Sequence, residues 1–176
     1  MIKQEKLNGL EIDVLAKKTC RLHYDQTSVV FDNLSYLLVR DAINTDNSDL
    51  SKSGGIDNLS VKVENNANKF NYFVAASLLL AAKSKIDDAW KNCKDHMNSC
   101  ETKHYRTIKG YNSMKEIAVT ANDSQENLYS FIKSASFELK RQSKRDSELN
   151  HPKLSSCLNQ AALYLDDALI ELSKNY

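Results

Sequence analysis

Between Trp90 and His104 the sequence reads "WKNCKDHMNSCETKH", which packs Cys93, His96, Cys100 and His104 into fifteen positions. Thiolates and imidazoles are the ligands of tetrahedral zinc, with bonds of about 2 Å. One helix cannot gather all four, because at ~1.5 Å per residue Cys93 and His104 stand about 16 Å apart. Two helices side by side can. Cys93-x-x-His96 and Cys20-x-x-His23 each place two donors one turn apart, so Cys20, His23, Cys93 and His96 form a candidate Cys2His2 set. The competing reading is packing. Ile86, Trp90, Cys93, Met97, Cys100 and His104 step by 4, 3, 4, 3 and 4, the spacing of a seam between helices. Cysteine behaves there as a small hydrophobe and methionine as a gap filler. Packing accounts for these residues without chemistry, and on this reading the protein carries no metal and no cofactor. A Cys93–Cys100 disulfide is not expected, since a straight helix holds the two Cα atoms roughly 10 Å apart.

A second stretch that bears on function is "KRQSKRDSE", Lys140 to Glu148, nine residues without an apolar side chain. Lys140, Arg141, Lys144 and Arg145 are spaced i, i+1, i+4, i+5 and make one basic edge, able to meet phosphates or an acidic partner. The plainer reading is a solvated helix end, where cations are favoured by the macrodipole. Phe137, one turn earlier, falls about 180° from Leu128 around a helix. An aromatic ring there is off the seam and available to a partner, so Phe137, Lys140, Arg141 and Lys144 are the candidate binding residues.

"RDSELNH" runs from Arg145 to His151 with five residues between, and Asp146 follows the arginine. It resembles the Arg-x(4–6)-His motif of the HEPN superfamily of helical domains, in which a polar residue often follows the arginine. The order of two long helices, motif and final helix is also similar, over roughly residues 65 to 175. The resemblance implies a metal-independent ribonuclease or an RNA-binding module, with the Arg and His of two subunits sharing a cleft. His151 would then handle the proton of the attacking 2′-hydroxyl, and Arg145 would stabilise the phosphate charge. Six positions turn about 240° on an ideal helix, so the two residues share a cleft only if Asn150–Pro152 breaks it.

Other chemistry is absent from the sequence. It has no Gly-rich phosphate loop, nucleophile elbow, H-E-x-x-H or EF-hand loop. The acidic pairs in "KIDDAW" and "LDDAL" read as solvated helix edges. Lys and Arg number 24 against 23 Asp and Glu, a net charge of +1, which argues against a general nucleic-acid binder.

The elements that must position these residues are helices. Four glycines and one proline in 176 residues leave few places for the turns of a sheet protein. The first helix is expected from about Gln4 to His23, with Leu7, Leu10 and Val14 and then Ile12, Leu15 and Leu22 apolar. "DQTS", Asp25–Ser28, reads as a break, and a second helix follows with Val30, Phe31, Leu34, Leu37, Leu38 and Ala42 on one face. "NTDNSDLSKSGG", Asn44–Gly55, is the clearest linker. "NLSVKVEN" alternates like a strand but has no partner strand, so it opens a third helix, which continues to about Thr107 and stops before Gly110. A short helix over Ser113–Ala121 and a long one over Ser124–Leu149 come next, the latter with the stripe Leu128, Ile132, Ala135, Leu139. "NHP" separates it from a last helix in which Leu154, Leu158, Ala161, Leu165, Ala168 and Leu172 step by 4, 3, 4, 3 and 4.

These readings specify an all-α antiparallel bundle of five to six helices forming a single domain, 1–176: a helical pair over 1–43, a polar linker over 44–57 and the main bundle over 58–176. The longest apolar stretch, Phe70–Ala82, is 13 residues and too short to span a bilayer. No secretory signal is visible, so a cytoplasmic protein with reduced thiols is expected. Four cysteines and N-x-S triplets at Asn33, Asn58 and Asn122 would also suit a secreted chain whose leader had been removed. The expected function is protein–protein contact, as an immunity or antitoxin protein, an adaptor or an assembly subunit, by binding a partner or by self-association. The HEPN-like ribonuclease, with RNA as its partner, is the alternative.

Overall fold

The structure, a computed structural model, describes residues 9–49, 57–94 and 106–174. Among them are six helices and no strand: α1 (Gly9–Thr19), α2 (Tyr24–Asp49), α3 (Asp57–Lys94), α4 (Met114–Ala121), α5 (Gln125–Glu148) and α6 (Pro152–Ser173). The all-α bundle expected from the periodicities is the fold observed.

Local chemistry sets several of the boundaries. Ser113 caps α4 by accepting the Glu116 N–H at 3.2 Å, while the Glu116 carboxylate reaches back to the Asn112 N–H at 2.7 Å, a variant of the capping box. Ser124 caps α5 by accepting the Asn127 N–H at 3.1 Å. α5 ends in a Schellman motif: Asn150 takes a left-handed φ of 61°, His151 N–H bonds the Asp146 carbonyl at 2.8 Å and Asn150 N–H bonds that of Ser147 at 3.1 Å. Pro152 then opens α6 at its first position, where a missing N–H costs nothing.

Four helices build the bundle. α3 packs between α2 and α6, α6 packs on α5, and α1 lies on α5 while α4 lies on α2. Cross-helix hydrogen bonds show the directions. Ser28 and Ser35 of α2 bond Asp87 and the Ala76 carbonyl of α3, so these two run antiparallel. Ser136 and Ser143 of α5 bond the carbonyls of Ala162 and Ser155 on α6, again antiparallel. The start of α2, the end of α3, the end of α5 and the start of α6 therefore share one end of the bundle.

The core follows the apolar stripes. All six apolar residues expected on the inner face of α2 are buried, as are Leu128, Ile132, Ala135 and Leu139 of α5 and the whole Leu154-to-Leu172 seam of α6. Ala75, Ala76, Leu79, Ala82, Ile86, Ala89 and Cys93 line the inner faces of α3, and its alanines let neighbouring helices approach closely enough for Ser35 to reach a backbone carbonyl.

The structure corrects the sequence reading in four places. The first break lies at Cys20–His23, ahead of "DQTS", which forms the opening of α2. Val14 is 43 % exposed and does not lead inward as expected; Ile12, Leu15 and Ala16 do. α2 runs on to Asp49 and packs along α3, so the boundary drawn at residue 43 cuts a helix that is itself a wall of the bundle. Arg106 and Thr107 are not helical, so the third helix ends before the expected Thr107; residues 95–105 lie outside the described residues. The rest of the expected linker, residues 50–56, lies outside the described residues.

Candidate functional site

α5 carries two stripes of the same period. One is the buried seam. The other, Lys133, Phe137, Lys140 and Lys144, steps by 4, 3 and 4 and is exposed along its length. Phe137 is 65 % exposed, as its position off the seam led one to expect. Beside it an open groove of about 400 Å³ runs between α1, α5 and α6, walled by Asp13, Lys17, Lys133, Ser134, Phe137, Lys140 and Asp166.

Both carboxylates of this groove are already engaged. Asp13 accepts the Ser134 hydroxyl at 2.7 Å. Asp166 accepts the Ser136 hydroxyl at 2.5 Å and pairs with the Lys140 ammonium. Asp166 is thus a link between α5 and α6, not the solvated edge that "LDDAL" suggested. Lys17 and Lys133, by contrast, form no ion pair among the described residues.

The basic edge is also not four free cations. Lys140 is tied to Asp166, and Arg141 is bound to Glu138, leaving Lys144 and Arg145 as its members without an ion pair among the described residues. Glu138 was not singled out from the sequence, yet it is the most constrained charge among the described residues. Its carboxylate is 2 % exposed and accepts from Arg21 Nε at 3.0 Å, from Arg141 Nε and Nη2 at 2.9 and 2.7 Å, and from Gln142 Nε2 at 3.3 Å. Burial alone would raise its pKa; the hydrogen bonds from Arg141, Arg21 and Gln142 overcome this and hold it down to about 2. Gln142 also bonds the Cys20 carbonyl at 2.9 Å, so the cluster fastens the α1–α2 turn to α5.

The Cys and His residues separate. The Cys20 thiol is buried and lies 3.7 Å from the Ala135 carbonyl, and burial followed by the Glu138 charge pushes its pKa up. The buried His23 sets its ring edge-on to Trp90 at 4.0 Å, with Nδ1 2.5 Å from an Asp25 carboxylate oxygen. Cys93 is buried and disulfide-bonded, while Cys20 and Cys157 are free thiols, so the partner of Cys93 lies outside the described residues. Cys20 and Cys157 accord with the expectation of reduced thiols, and Cys93 departs from it. The geometric objection to a disulfide assumed a straight helix onward from Cys93, but α3 is described only one residue further. A sulfur in a disulfide supplies no thiolate to zinc. His96, Met97, Cys100 and His104 lie outside the described residues, and among the described ones no three His, Cys, Asp or Glu side chains are placed to hold a metal.

At the same end of the bundle the Tyr24 phenol is buried, and its pKa is pushed up by that burial and by nearby Asp146 and Cys157. Cys157 receives the Asn92 amide at 3.7 Å; burial and then Asp88 raise its thiol. Arg145 is exposed on the last turn of α5, and His151 is half-buried at the start of α6, its carbonyl accepting the Ser155 N–H at 3.0 Å. The two stand on either side of the left-handed Asn150, so the helix is broken between them.

No family model, curated protein or solved structure matches the chain. Function is therefore read from these side chains alone. Of the candidate binding residues, Phe137 and Lys140 meet at one groove, Lys144 continues the same stripe, and Arg141 is turned to Glu138.

Proposed function

We propose that this protein is a non-enzymatic helical bundle that works by protein–protein contact, as an adaptor, immunity protein or assembly subunit, with the outer face of α5 as its contact surface. The observation that carries this reading is Phe137, an aromatic ring 65 % exposed beside an open groove. Such a ring has no packing role in the isolated chain, and aromatic residues anchor interfaces. No described helix is long and apolar enough to cross a membrane.

The test is Phe137→Ser. Capture of the natural partner in a pull-down should fall at least about tenfold, the usual scale for a central aromatic anchor. Stability in urea should stay within about 0.5 kcal/mol of wild type, because the ring is not in the core. Undiminished capture would remove α5 as the contact face.

One observation favours the second reading, a HEPN-like ribonuclease or RNA-binding module. The break at Asn150 is the condition under which Arg145 and His151 can face one cleft. On this reading RNA is cleaved in the presence of EDTA, and His151→Ala lowers the rate at least about a hundredfold, the scale of lost general acid–base catalysis. Equal cleavage by both proteins, or none by either, ends it.

A further inference from the structure

Resting on the contact reading, we infer that the segment received by the α1–α5–α6 groove is acidic and carries apolar or aromatic side chains: a strand or helix of a partner protein in which Asp or Glu flank a ring. The inference follows from which groove charges remain available. The groove's two carboxylates are each hydrogen-bonded within the fold, Asp13 by the Ser134 hydroxyl and Asp166 by Ser136 and Lys140, the last also an ion pair. Two ammonium groups, Lys17 on α1 and Lys133 on α5, are without an ion pair among the described residues.

The exposed stripe repeats the pattern along α5. Phe137 has Lys133 one turn before it, Lys140 one turn after and Lys144 two turns after. What the surface presents is one apolar ring bracketed by cations, although the whole chain carries only +1. Complementary charge steers and selects partners, and a basic segment would meet more cations than anions here, Lys17, Lys133, Lys140 and Lys144 against Asp13 and Asp166. Single-stranded RNA offers the same pairing of anion and ring, but the near-neutral chain favours a protein partner.

Fluorescence anisotropy on the full chain decides the matter. The probes are three labelled peptides of equal length, in which Phe alternates with Glu, Ser or Lys, and a single-stranded RNA of matched charge. The Glu–Phe peptide should bind at least about fivefold tighter than the Ser–Phe peptide, as two exposed cations allow, and should weaken as salt is raised. Lys17→Gln with Lys133→Gln should abolish the preference, and Lys17→Glu with Lys133→Glu should reverse it. Circular dichroism confirms that both variants fold. A Glu–Phe peptide no better than Ser–Phe, a preference that survives the charge reversal, or tighter binding of the RNA each overturns the inference, as does binding of none of the four. Failure of the contact reading itself looks different: Phe137→Ser then leaves both peptide binding and capture of the natural partner unchanged. If Phe137→Ser weakens peptide binding but wild type binds the Glu–Phe and Ser–Phe peptides equally, contact stands and the acidic preference falls.

Discussion

Glutamine in place of Glu138 is expected to lower the unfolding free energy by about 2 kcal/mol at neutral pH, and the deficit is expected to disappear in acid. The carboxylate is 2 % exposed and receives hydrogen bonds from Arg21, Arg141 and Gln142. A glutamine amide retains one acceptor oxygen but turns N–H donors toward guanidinium donors, and it removes the charge both arginines face. Cutting a fully buried pair costs about 3–5 kcal/mol. Here Arg21 and Arg141 are 47 % and 48 % exposed, so water solvates them once the carboxylate is gone and the loss is smaller.

The pH dependence follows from the depressed pKa of about 2 in the folded chain, against an ordinary value of 4.5. The unfolded carboxyl takes up its proton first as pH falls. The stabilisation is thus fully present above about pH 4.5 and is lost between there and about pH 2. Urea denaturation of wild type and Glu138→Gln at about pH 7, 4 and 2.5 should show the gap narrowing at the two acid points. A gap of constant size would mean that Glu138 acts through packing and not through its charge.

The second large effect belongs to Phe131. It is fully buried and, with Phe31, among the largest side chains at zero exposure. Phe131→Ala should cost about 3–5 kcal/mol, because the transfer free energy of the ring is lost and the surrounding side chains fill the cavity only in part. The control lies on the same helix. Phe137→Ala removes an identical ring that is 65 % exposed and should change stability by no more than about 0.5 kcal/mol. Thermal and urea melts of the two variants, run together, should separate them clearly. Equal losses would mean that Phe137 is packed against the fold, and the surface argued here for partner binding would no longer exist.

Phe131 and Phe137 also show how far the sequence could be read. Period located the inner face of α5 through Leu128, Ile132, Ala135 and Leu139 and placed Phe137 outside it. Phe131, three residues after Leu128 and four before Ala135, belongs to the same face but was passed over, because the buried stripe is wider than a single line of four. Helix boundaries were legible wherever local chemistry writes them: Ser113, Ser124, Asn150 and Pro152 all act where their types indicate. The α1–α2 break was misplaced because no cap residue marks it. Cys20–His23 turns through backbone bonds such as Arg21 N–H to the Lys18 carbonyl, and tertiary bonds from Gln142 and Thr27 hold it.

The sequence by itself determined the helical class, the inward stripes of α2, α5 and α6, and the exposure of Phe137, since each depends on residue type and a period of 3.6 along one helix. Only the tertiary structure decided which charges remain available. Glu138 and Arg141 look like an ordinary i, i+3 pair on paper, and Asp166 like a solvated acid; packing against Arg21 and against Ser136 makes them internal links. Periodicity is a property of one element, whereas pairing, burial of charge and the shape of a groove are properties of elements brought together.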